Sequence, residues 1–394
     1  MKITWITRSF ADYRIPVYKA LDRMCGHELT VIYNNDACSP KLQEKLRTVL
    51  GERAIARTNE LRIGNGKKLD NATEMKSTVR IPISLGLVKQ ILHTQPDVLV
   101  SDGFMQWTYA PLIVRIFKHI PHVMCYERTA HTERRAGKLR IFYRRLVSRW
   151  IDAIDCNGKL CGDYVKQLLG WTDDRLTYGH MVADVDGMAM AVQNRTADEV
   201  ESLKQKYHIR GVVFLFVGQL IDRKGVMELL RAWNSFKAQC TEDCTLIFVG
   251  NGFKEEAMRV AIENENIPDV VMTGNVDYDN ISIFYKAANC FVLPTMEDNW
   301  SLVIPEAMAC GLPVATTIYN GCYPELVTEK NGWVFDSTQQ ESIINTLRSI
   351  ISCREKLKNM GEESKNIVSS YSAENAAKGI MQAIYKVRHK NNRK

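Results

Sequence analysis

The chain alternates short apolar runs with longer polar or amphipathic stretches. In its first half the apolar runs are residues 3–6, 29–33, 98–101 and 123–126. Runs of four to five apolar residues bounded by polar segments are typical of buried strands. Strands that alternate with helical stretches indicate a parallel sheet covered by helices, so this half predicts an α/β domain.

The second half repeats the pattern with five further runs. These are residues 211–218, 245–249, 270–273, 290–293 and 313–316. Five continuous apolar runs within about a hundred residues suit a second doubly wound parallel sheet. A chain of 394 residues is also longer than one hydrophobic core normally fills. We therefore expect two α/β domains with a ligand in the cleft between them.

A stretch of low hydrophobic periodicity, from about residue 180 to 197, is the predicted domain boundary. It places an N-terminal domain at residues 1–182 and a C-terminal domain at residues 183–372. Residues 373–394 are predicted to form a helix and a basic tail that pack back toward the N-terminal domain.

Composition narrows the class of protein. The chain is 45% hydrophobic and 25% charged, and it contains no apolar run of about 18 residues that could span a membrane. Arg8, Asp12 and Arg14 interrupt any apolar core that a signal peptide would need. The eleven cysteines contain no C-x-x-C pair, so we expect reduced, mostly buried thiols and no metal site. Cytoplasmic residence is the expectation.

The segment from Thr295 to Thr317 carries the strongest chemical signal. Pro294 and Thr295 end an apolar run, and Pro305 fits only the first turn of a helix, which places the start of that helix near Ser301. The backbone amides at residues 299–303 would then be unpaired at a helix start, where an anion is favoured. The carboxylates of Asp298 and Glu306 would accept hydrogen bonds from hydroxyl groups of the ligand. The alternative is that both carboxylates merely favour a helix N-terminus.

The segment at residues 217–225 follows the first apolar run of the second half. Gly218 and Gly225 would let the backbone approach a ligand, and Arg223 and Lys224 supply two cations. This pattern predicts a diphosphate clamp. A solvated basic loop before a helix is the alternative.

Together these two segments resemble family 4 of the retaining glycosyltransferases. The family has the GT-B architecture of two facing Rossmann-like domains, a Glu-x7-Glu element before an Ala-Met-Ala-x-Gly-x-Pro-Val run, and a Gly-Arg-Leu-x3-Lys-Gly element. Lys224 matches the family lysine, whereas Gln219 stands in place of the family arginine, and we infer that Arg223 supplies that cation. Asp298 stands eight residues before Glu306, and Glu297 stands one residue before Asp298. Either of them could take the role of the first Glu in the Glu-x7-Glu element.

The resemblance implies a role for each of these positions. Glu306 would bind the ribose hydroxyls of a nucleotide sugar, Asp298 or Glu297 would contact the transferred sugar, and Arg223 and Lys224 would stabilise the leaving diphosphate. Further donor-binding candidates are Gly218, Gln219, Asn275 beside the base, and the backbone of Asn299, Trp300, Ser301 and Leu302. The resemblance implies no metal at the catalytic centre and no cofactor, since the nucleotide sugar is a substrate.

In the N-terminal half, relatives of this family carry a histidine in the loop that follows residues 123–126. His131 is the nearest candidate, but Glu127 lies closer to the strand end and is the alternative. Arg8, Tyr13 and Arg14 follow the first apolar run and are candidate acceptor contacts.

The net charge is +7. The segment from Arg115 to Arg149 contains ten Lys or Arg residues but only two acidic residues, Glu127 and Glu133. Within this region, apolar residues at 139, 142, 143, 146, 147 and 150 form one helical face, which we expect to pack on the sheet. The basic face could bind an anionic membrane surface or the diphosphate of a lipid-linked acceptor, or it could simply be solvated. Nucleic acid is not expected, because no recognised binding module is present.

Three functions remain open on these residues. The first is transfer of a sugar from a nucleotide-diphosphate donor to a hydroxyl of a glycan or lipid-linked acceptor, with retention of configuration. A nucleotide-sugar epimerase of the same architecture would need no acceptor. A non-catalytic nucleotide-sugar-binding or membrane scaffold would explain Gln219 and Asp298 as lost catalytic positions.

Overall fold

The computed structural model describes residues 1–58, 60–63, 81–104 and 106–391. Contacts divide these residues into two compact units. The first unit contains the residues up to Val182 together with the helix that begins at Ala373, and the second contains Ala183–Ser372. None of the helices in the described ranges combines the length and the apolar character that crossing a bilayer requires.

The first unit is built on a parallel sheet. Its strand order is β3-β2-β1-β6-β7-β8-β9, and the antiparallel pair of β4 and β5 forms a separate two-stranded sheet. The strands are β1 (Ile3–Ile6), β2 (Leu29–Asn34), β3 (Ala54–Arg57), β4 (Glu60–Ile63), β5 (Ile81–Ser84), β6 (Val98–Asp102), β7 (His122–Tyr126), β8 (Ala153–Cys156) and β9 (Leu176–Tyr178).

The helices of this unit cover both faces of that sheet. They are α1 (Arg14–Met24), α2 (Pro40–Leu50), α3 (Leu87–His93), α4 (Tyr109–Lys118), α5 (Lys138–Val147), α6 (Lys159–Leu169) and α15 (Ala373–Asn391). Helix α15 packs on α1, β8 and β9, so the last helix of the chain is part of this unit.

The second unit repeats the design with the strand order β12-β11-β10-β13-β14-β15. Its strands are β10 (Val212–Val217), β11 (Cys244–Val249), β12 (Val270–Gly274), β13 (Cys290–Leu293), β14 (Val314–Thr317) and β15 (Gly332–Phe335). Its helices are α7 (Val185–Gln193), α8 (Ala197–Tyr207), α9 (Val226–Lys237), α10 (Glu255–Asn264), α11 (Ser282–Ala287), α12 (Val303–Ala309), α13 (Gln340–Ser352) and α14 (Leu357–Val368).

The hydrophobic pattern explains the central strands of both sheets. The strands β10 and β13 are buried almost throughout, because helices cover both faces of a parallel sheet. Phe214, Trp233 and Phe236 pack against one another between β10 and α9. All of the strands along both sheets run parallel, which confirms the predicted fold class.

Helix α5 corrects one expectation. Its apolar residues do not all pack on the sheet, because Leu139, Phe142 and Leu146 are 81%, 63% and 38% exposed. Val147 lies in the core beside β7, β8 and α6. Arg144 is buried instead, because Glu133 accepts hydrogen bonds from both ends of its guanidinium at 2.8 and 3.0 Å. A buried ion pair thus turns α5 so that an apolar stripe faces outward.

Candidate functional site

The loop that follows β10 lies directly against the carboxyl end of β13. Gly225 has φ +68°, and a Cβ atom there would lie 2.0 Å from the carbonyl oxygen of Pro294. Only glycine permits both this backbone conformation and this approach. The close contact brings Arg223 and Lys224 beside the loop that contains Glu297 and Asp298.

Lys224 and Asp298 form a buried ion pair. The Lys224 ammonium nitrogen lies 2.5 Å from Asp298 Oδ2, and the two side chains are 12% and 11% exposed. Arg223 Nη1 lies 3.9 Å from the same oxygen and donates a hydrogen bond to the carbonyl of Glu297 at 3.3 Å. The two cations predicted from sequence therefore do lie together, and the acidic loop holds both.

Asp298 is held from several directions. Its Oδ1 accepts a hydrogen bond from the Trp300 amide at 3.2 Å, and its carbonyl accepts one from the Gly321 amide at 3.0 Å. Burial by itself would raise the pKa of the Asp298 carboxyl, but Lys224, Ser301 and Arg223 outweigh it and lower that pKa below its usual range. Asp298 is therefore a carboxylate. The Trp300 amide, which we expected to be unpaired, donates its hydrogen bond to this carboxylate.

The helix after this loop begins later than predicted. Helix α12 starts at Val303, two residues beyond the predicted start at Ser301, and has only two turns. The Ser301 hydroxyl does not cap it, but accepts a hydrogen bond from the Asn320 side chain at 3.2 Å. Asn320 in turn follows β14, so Ser301 joins the loops at the ends of β13 and β14. Leu302 lies at the helix start, where it is partly exposed.

Glu306 is enclosed by two tyrosines. The hydroxyls of Tyr278 and Tyr285 each donate a hydrogen bond to one of its carboxyl oxygens at 3.4 Å. Burial raises the pKa of Glu306 to about 7 and Asp184 adds to this, while the two tyrosines act in the opposite direction. A carboxyl group with this pKa changes its charge near neutral pH.

The remaining donor-site candidates lie at neighbouring strand ends. Gly218 follows β10, and its carbonyl oxygen lies 2.0 Å from the place where a Cβ on Gly250 would stand, so the loops after β10 and β11 touch. Gln219 is exposed beside Gly218. Asn275 is exposed directly after β12, and Asn299 is half-buried next to Asp298.

In the first unit, Glu127 and His131 share the loop that follows β7. Both are half-buried. The side-chain Nδ2 of Asn157 donates a hydrogen bond to the Glu127 carbonyl at 3.2 Å, and the Arg134 guanidinium donates one to the His131 carbonyl at 2.6 Å. The backbone of the loop is therefore anchored at both residues.

The three acceptor candidates differ in exposure. Arg8 is partly exposed and makes a two-pronged salt bridge with Glu60 at 2.8 and 2.9 Å. Tyr13 is half-buried, and burial raises the pKa of its hydroxyl. Arg14 is only 7% exposed, faces Asp102 at 3.5 Å and stacks over Trp5. To contact an acceptor, Arg14 would have to leave these partners.

Sequence reasoning missed the partners that complete these arrangements. Tyr278, Tyr285 and Asp184 surround Glu306, and Asn320 binds Ser301. Tyr278 offered one signal, since it follows Asn275 closely in the loop expected to hold the base. The others lie far from their partners along the chain. Among the described residues, one group could hold a metal ion: Cys125, Asp155 and His180 in the first unit.

Comparisons with known proteins show which sequences and folds this chain resembles. Residues 200–384 match the family model described as glycosyl transferases group 1. An uncharacterized glycosyltransferase of Methanocaldococcus jannaschii is 23% identical over 166 residues, which are 42% of this chain and 46% of that protein. CapM of Staphylococcus aureus, a capsular polysaccharide biosynthesis glycosyltransferase, is 28% identical over 43% of this chain and 45% of its own. The matched part thus spans less than half the length of these curated relatives.

Solved structures extend the likeness to the whole chain. HepE of Anabaena, crystallised in complex with UDP, superposes with a TM-score of 0.73 at 16% identity, covering 98% of this chain and all of that one. This likeness confirms the GT-B fold, with a Rossmann-like sheet in each unit. The sequence matches support an assignment of the chain to the group 1 glycosyltransferase superfamily.

Proposed function

We propose that the protein is a retaining glycosyltransferase of family 4 that moves a sugar from a nucleotide-diphosphate donor to a hydroxyl acceptor. The observation that carries this proposal is the cluster at the carboxyl ends of β10 and β13, where Arg223 and Lys224 face Asp298. Binding at this edge of a parallel sheet is the general behaviour of doubly wound folds. The UDP complex of HepE supports a nucleotide donor.

The two cations are proposed to hold the diphosphate. Lys224 is paired with a single carboxylate at 2.5 Å, and Arg223 lies farther from it at 3.9 Å with a third of its side chain exposed. An ammonium group and a guanidinium group can share the oxygens of a diphosphate while Asp298 fixes their position. As the bond to the sugar breaks, the negative charge that grows on the diphosphate is stabilised by groups already in place.

The nucleoside is proposed to bind beside Glu306. A carboxylate accepts hydrogen bonds from two adjacent hydroxyls, which matches a ribose, and Tyr278 and Tyr285 orient this carboxyl group. Asn275 and the turn after β12 lie near the base in this arrangement. Asp298 or Glu297 contacts the transferred sugar, with Gly218, Gln219 and the segment at residues 299–302 completing the donor site.

The first unit is proposed to bind the acceptor. Glu127 and His131 are the candidates for contact with the reacting sugar, and Arg8, Tyr13 and Arg14 are candidates for contact with the acceptor. Transfer in this scheme needs no metal at its centre, because Arg223 and Lys224 supply the positive charge that a metal would otherwise bring to the diphosphate.

The acceptor is proposed to be a glycan or a lipid-linked saccharide at the cytoplasmic face of a membrane. Helix α5 exposes Leu139, Phe142 and Leu146 in one stripe. Lys138, Arg145 and Arg149 are exposed along its border. An apolar stripe flanked by cations suits the headgroup region of an anionic membrane. The eleven free thiols fit a reducing compartment. The name of CapM supports polysaccharide assembly as the setting.

A screen of donors tests the proposal. The full chain is mixed with UDP-, GDP-, ADP- and TDP-sugars, and thermal unfolding is followed. A donor at a hundred times its dissociation constant adds about 2.7 kcal/mol to the free energy of unfolding. We expect one nucleotide class to raise the melting temperature of the wild type and to lose most of this effect in Lys224→Met. The proposal fails if no donor shifts the transition.

Product analysis separates the alternatives. The donor that binds is incubated with and without acceptors that carry lipid-linked sugars, and the anomeric configuration of the product is read by nuclear magnetic resonance. A retained configuration in an acceptor-dependent product supports the transferase. Inversion of a sugar centre in the donor without acceptor would identify an epimerase, and binding without turnover against any acceptor would identify a scaffold.

A further inference from the structure

We propose that Cys125, Asp155 and His180 bind one zinc ion that ties together the strand ends of the first unit. The three residues come from β7, from β8 and from the segment just after β9. Cys125 pairs with Asp155 in the register of the sheet, and Asp155 pairs with Thr177. One ligand atom from each of the three residues lies within 4.8 Å of the other two.

The spacing of the three ligand atoms is close to that found around a zinc ion. Zinc binds thiolate sulfur at about 2.3 Å and imidazole nitrogen or carboxylate oxygen at about 2.0–2.2 Å, which places ligand atoms roughly 3–4 Å apart. A fourth, tetrahedral position remains for a water molecule.

Two of the ligands have buried polar atoms that no other described residue satisfies. Asp155 Oδ2 and His180 Nδ1 lack a hydrogen-bond partner, although the two residues are 0% and 1% exposed. A buried polar atom without a partner destabilises the folded state, and metal coordination would satisfy both atoms. The other oxygen of Asp155 accepts a hydrogen bond from the Thr177 hydroxyl at 3.0 Å, which orients the carboxylate as an outer partner of a metal ligand would.

With a divalent ion bound, the charges of the cluster and its buried neighbours would sum to zero. Arg14 is buried beside the cluster, where it donates a hydrogen bond to the His180 carbonyl at 3.5 Å and contacts the Cys125 thiol. Its charge is offset by Asp102 at 3.5 Å. A zinc ion with charge +2 is likewise offset by one thiolate and one carboxylate. The cluster as a whole would then be neutral, and a neutral cluster avoids the high cost of net charge in a protein interior.

The cover of the cluster indicates a structural site. Helix α15 packs on β8 and β9, and a Cβ on its Gly379 would lie 2.6 Å from the Tyr178 carbonyl oxygen and 3.8 Å from Asp155 Oδ1. The backbone of α15 therefore closes over the carboxylate and leaves no space for a substrate. Mixed sulfur, nitrogen and oxygen ligands favour zinc over magnesium or calcium, which prefer oxygen alone.

Cobalt substitution tests the proposal. The full chain is stripped with a chelator and titrated with Co²⁺, and the thiolate-to-cobalt absorption is recorded. We expect one ion per chain, loss of this absorption in Cys125→Ser, and an unchanged spectrum in the control Cys240→Ser, whose thiol lies in the second unit. Zinc should displace the cobalt. Absence of the absorption in the wild type, or its persistence in Cys125→Ser, would overturn the proposal.

A second measurement needs no variant and stands even if Cys125→Ser does not fold. X-ray absorption of the zinc-loaded wild type should show one sulfur neighbour, with nitrogen or oxygen atoms in the remaining positions. A zinc shell without sulfur, or with two or more sulfurs, would show that these three residues are not the ligands.

Discussion

The ammonium of Lys224 and the carboxylate of Asp298 lie 2.5 Å apart although 74 residues separate them in sequence. Both side chains are largely buried, so each depends on the other for its counter-charge. A buried pair of this kind is weakly stabilising when intact and strongly destabilising when one partner is removed. Substitutions of Asp298 and of Glu297 should therefore differ in their effect on stability, which helps to decide which of the two contacts the sugar.

Asp298→Asn and Glu297→Gln should have different consequences. Asp298→Asn leaves the Lys224 charge buried without its counter-charge, and we expect the free energy of unfolding to fall by about 3 kcal/mol in urea titrations. Glu297→Gln changes a half-buried side chain and should stay within about 0.5 kcal/mol of the wild type. A stable Glu297→Gln enzyme with a much lower kcat would assign the sugar contact to Glu297. Unchanged stability in Asp298→Asn would contradict the role of the pair.

Arg223→Ala tests whether Arg223 replaces the cation that Gln219 cannot supply. Removing one charged contact with a diphosphate should weaken donor binding by roughly tenfold at low salt, and less at high salt because ions screen a partly exposed charge. Calorimetric titration with the donor gives both values. The matched control is Lys254→Ala, whose ammonium pairs with Asp222 at 2.8 Å in the neighbouring turn. Equal donor affinity in Arg223→Ala and the wild type would discard the inference.

Glu306 should make stability depend on pH. Its pKa is raised from 4.5 to about 7 by burial, so the folded state binds the proton more tightly than the unfolded state. The resulting stabilisation, up to about 3 kcal/mol, is fully present below pH 4.5 and is lost as pH rises through about 7. Glu306→Gln removes this dependence. Urea titrations from pH 5 to 8 should therefore show the wild type losing stability relative to the variant.

The same ionisation should govern donor binding in the proposed function. A carboxylate accepts two ribose hydroxyls, whereas a protonated carboxyl group must donate one hydrogen bond. Donor affinity should therefore rise between pH 6 and 8 in the wild type and stay flat in Glu306→Gln. An equal rise in both proteins would assign the pH effect to another group.

The sequence predicted the central strands well because burial on both faces leaves a continuous apolar run. The predicted run at residues 290–293 coincides with β13, and the run at residues 3–6 coincides with β1. The strands β3, β9 and β15 at sheet edges and the buried strand β8 were not predicted. Strand β8 has the charged Asp155 among its four residues, β9 has three residues, and β15 begins with a glycine. Pairing with a neighbouring strand, rather than a local pattern, creates such strands.

The candidate site was predictable only in part, because contacts between segments distant in sequence are not visible in the local pattern. Residues that directly follow a strand, such as Lys224 and Asp298, can be assigned to the carboxyl edge of the sheet. Which of these residues touch depends on loop contacts across the sheet, such as the approach of Gly225 to Pro294. The outward orientation of the apolar residues of α5 could not be predicted from the sequence either. It depends on the burial of Arg144, which pairs with Glu133 eleven residues away.

The exposed stripe on α5 gives the last prediction. Leu139 and Phe142 are 81% and 63% exposed, and exposed cations border them. The double variant Leu139→Ser/Phe142→Ser should bind vesicles that contain anionic lipid at least tenfold more weakly, because each buried apolar side chain contributes about 1.5–3 kcal/mol. Flotation with anionic and with neutral vesicles measures this effect. The wild type should prefer the anionic vesicles, and the preference should shrink at high salt.

The matched control for this experiment is Leu85→Ser, which removes a 66% exposed leucine from the same unit but away from α5. Because Leu85 lies outside the stripe, its replacement should leave vesicle binding unchanged although it also removes an exposed apolar side chain. Thermal unfolding of all the variants should stay close to the wild type, since these side chains face outward. If Leu85→Ser weakens binding as much as the double variant, or if neither variant does, the α5 stripe is not a membrane contact.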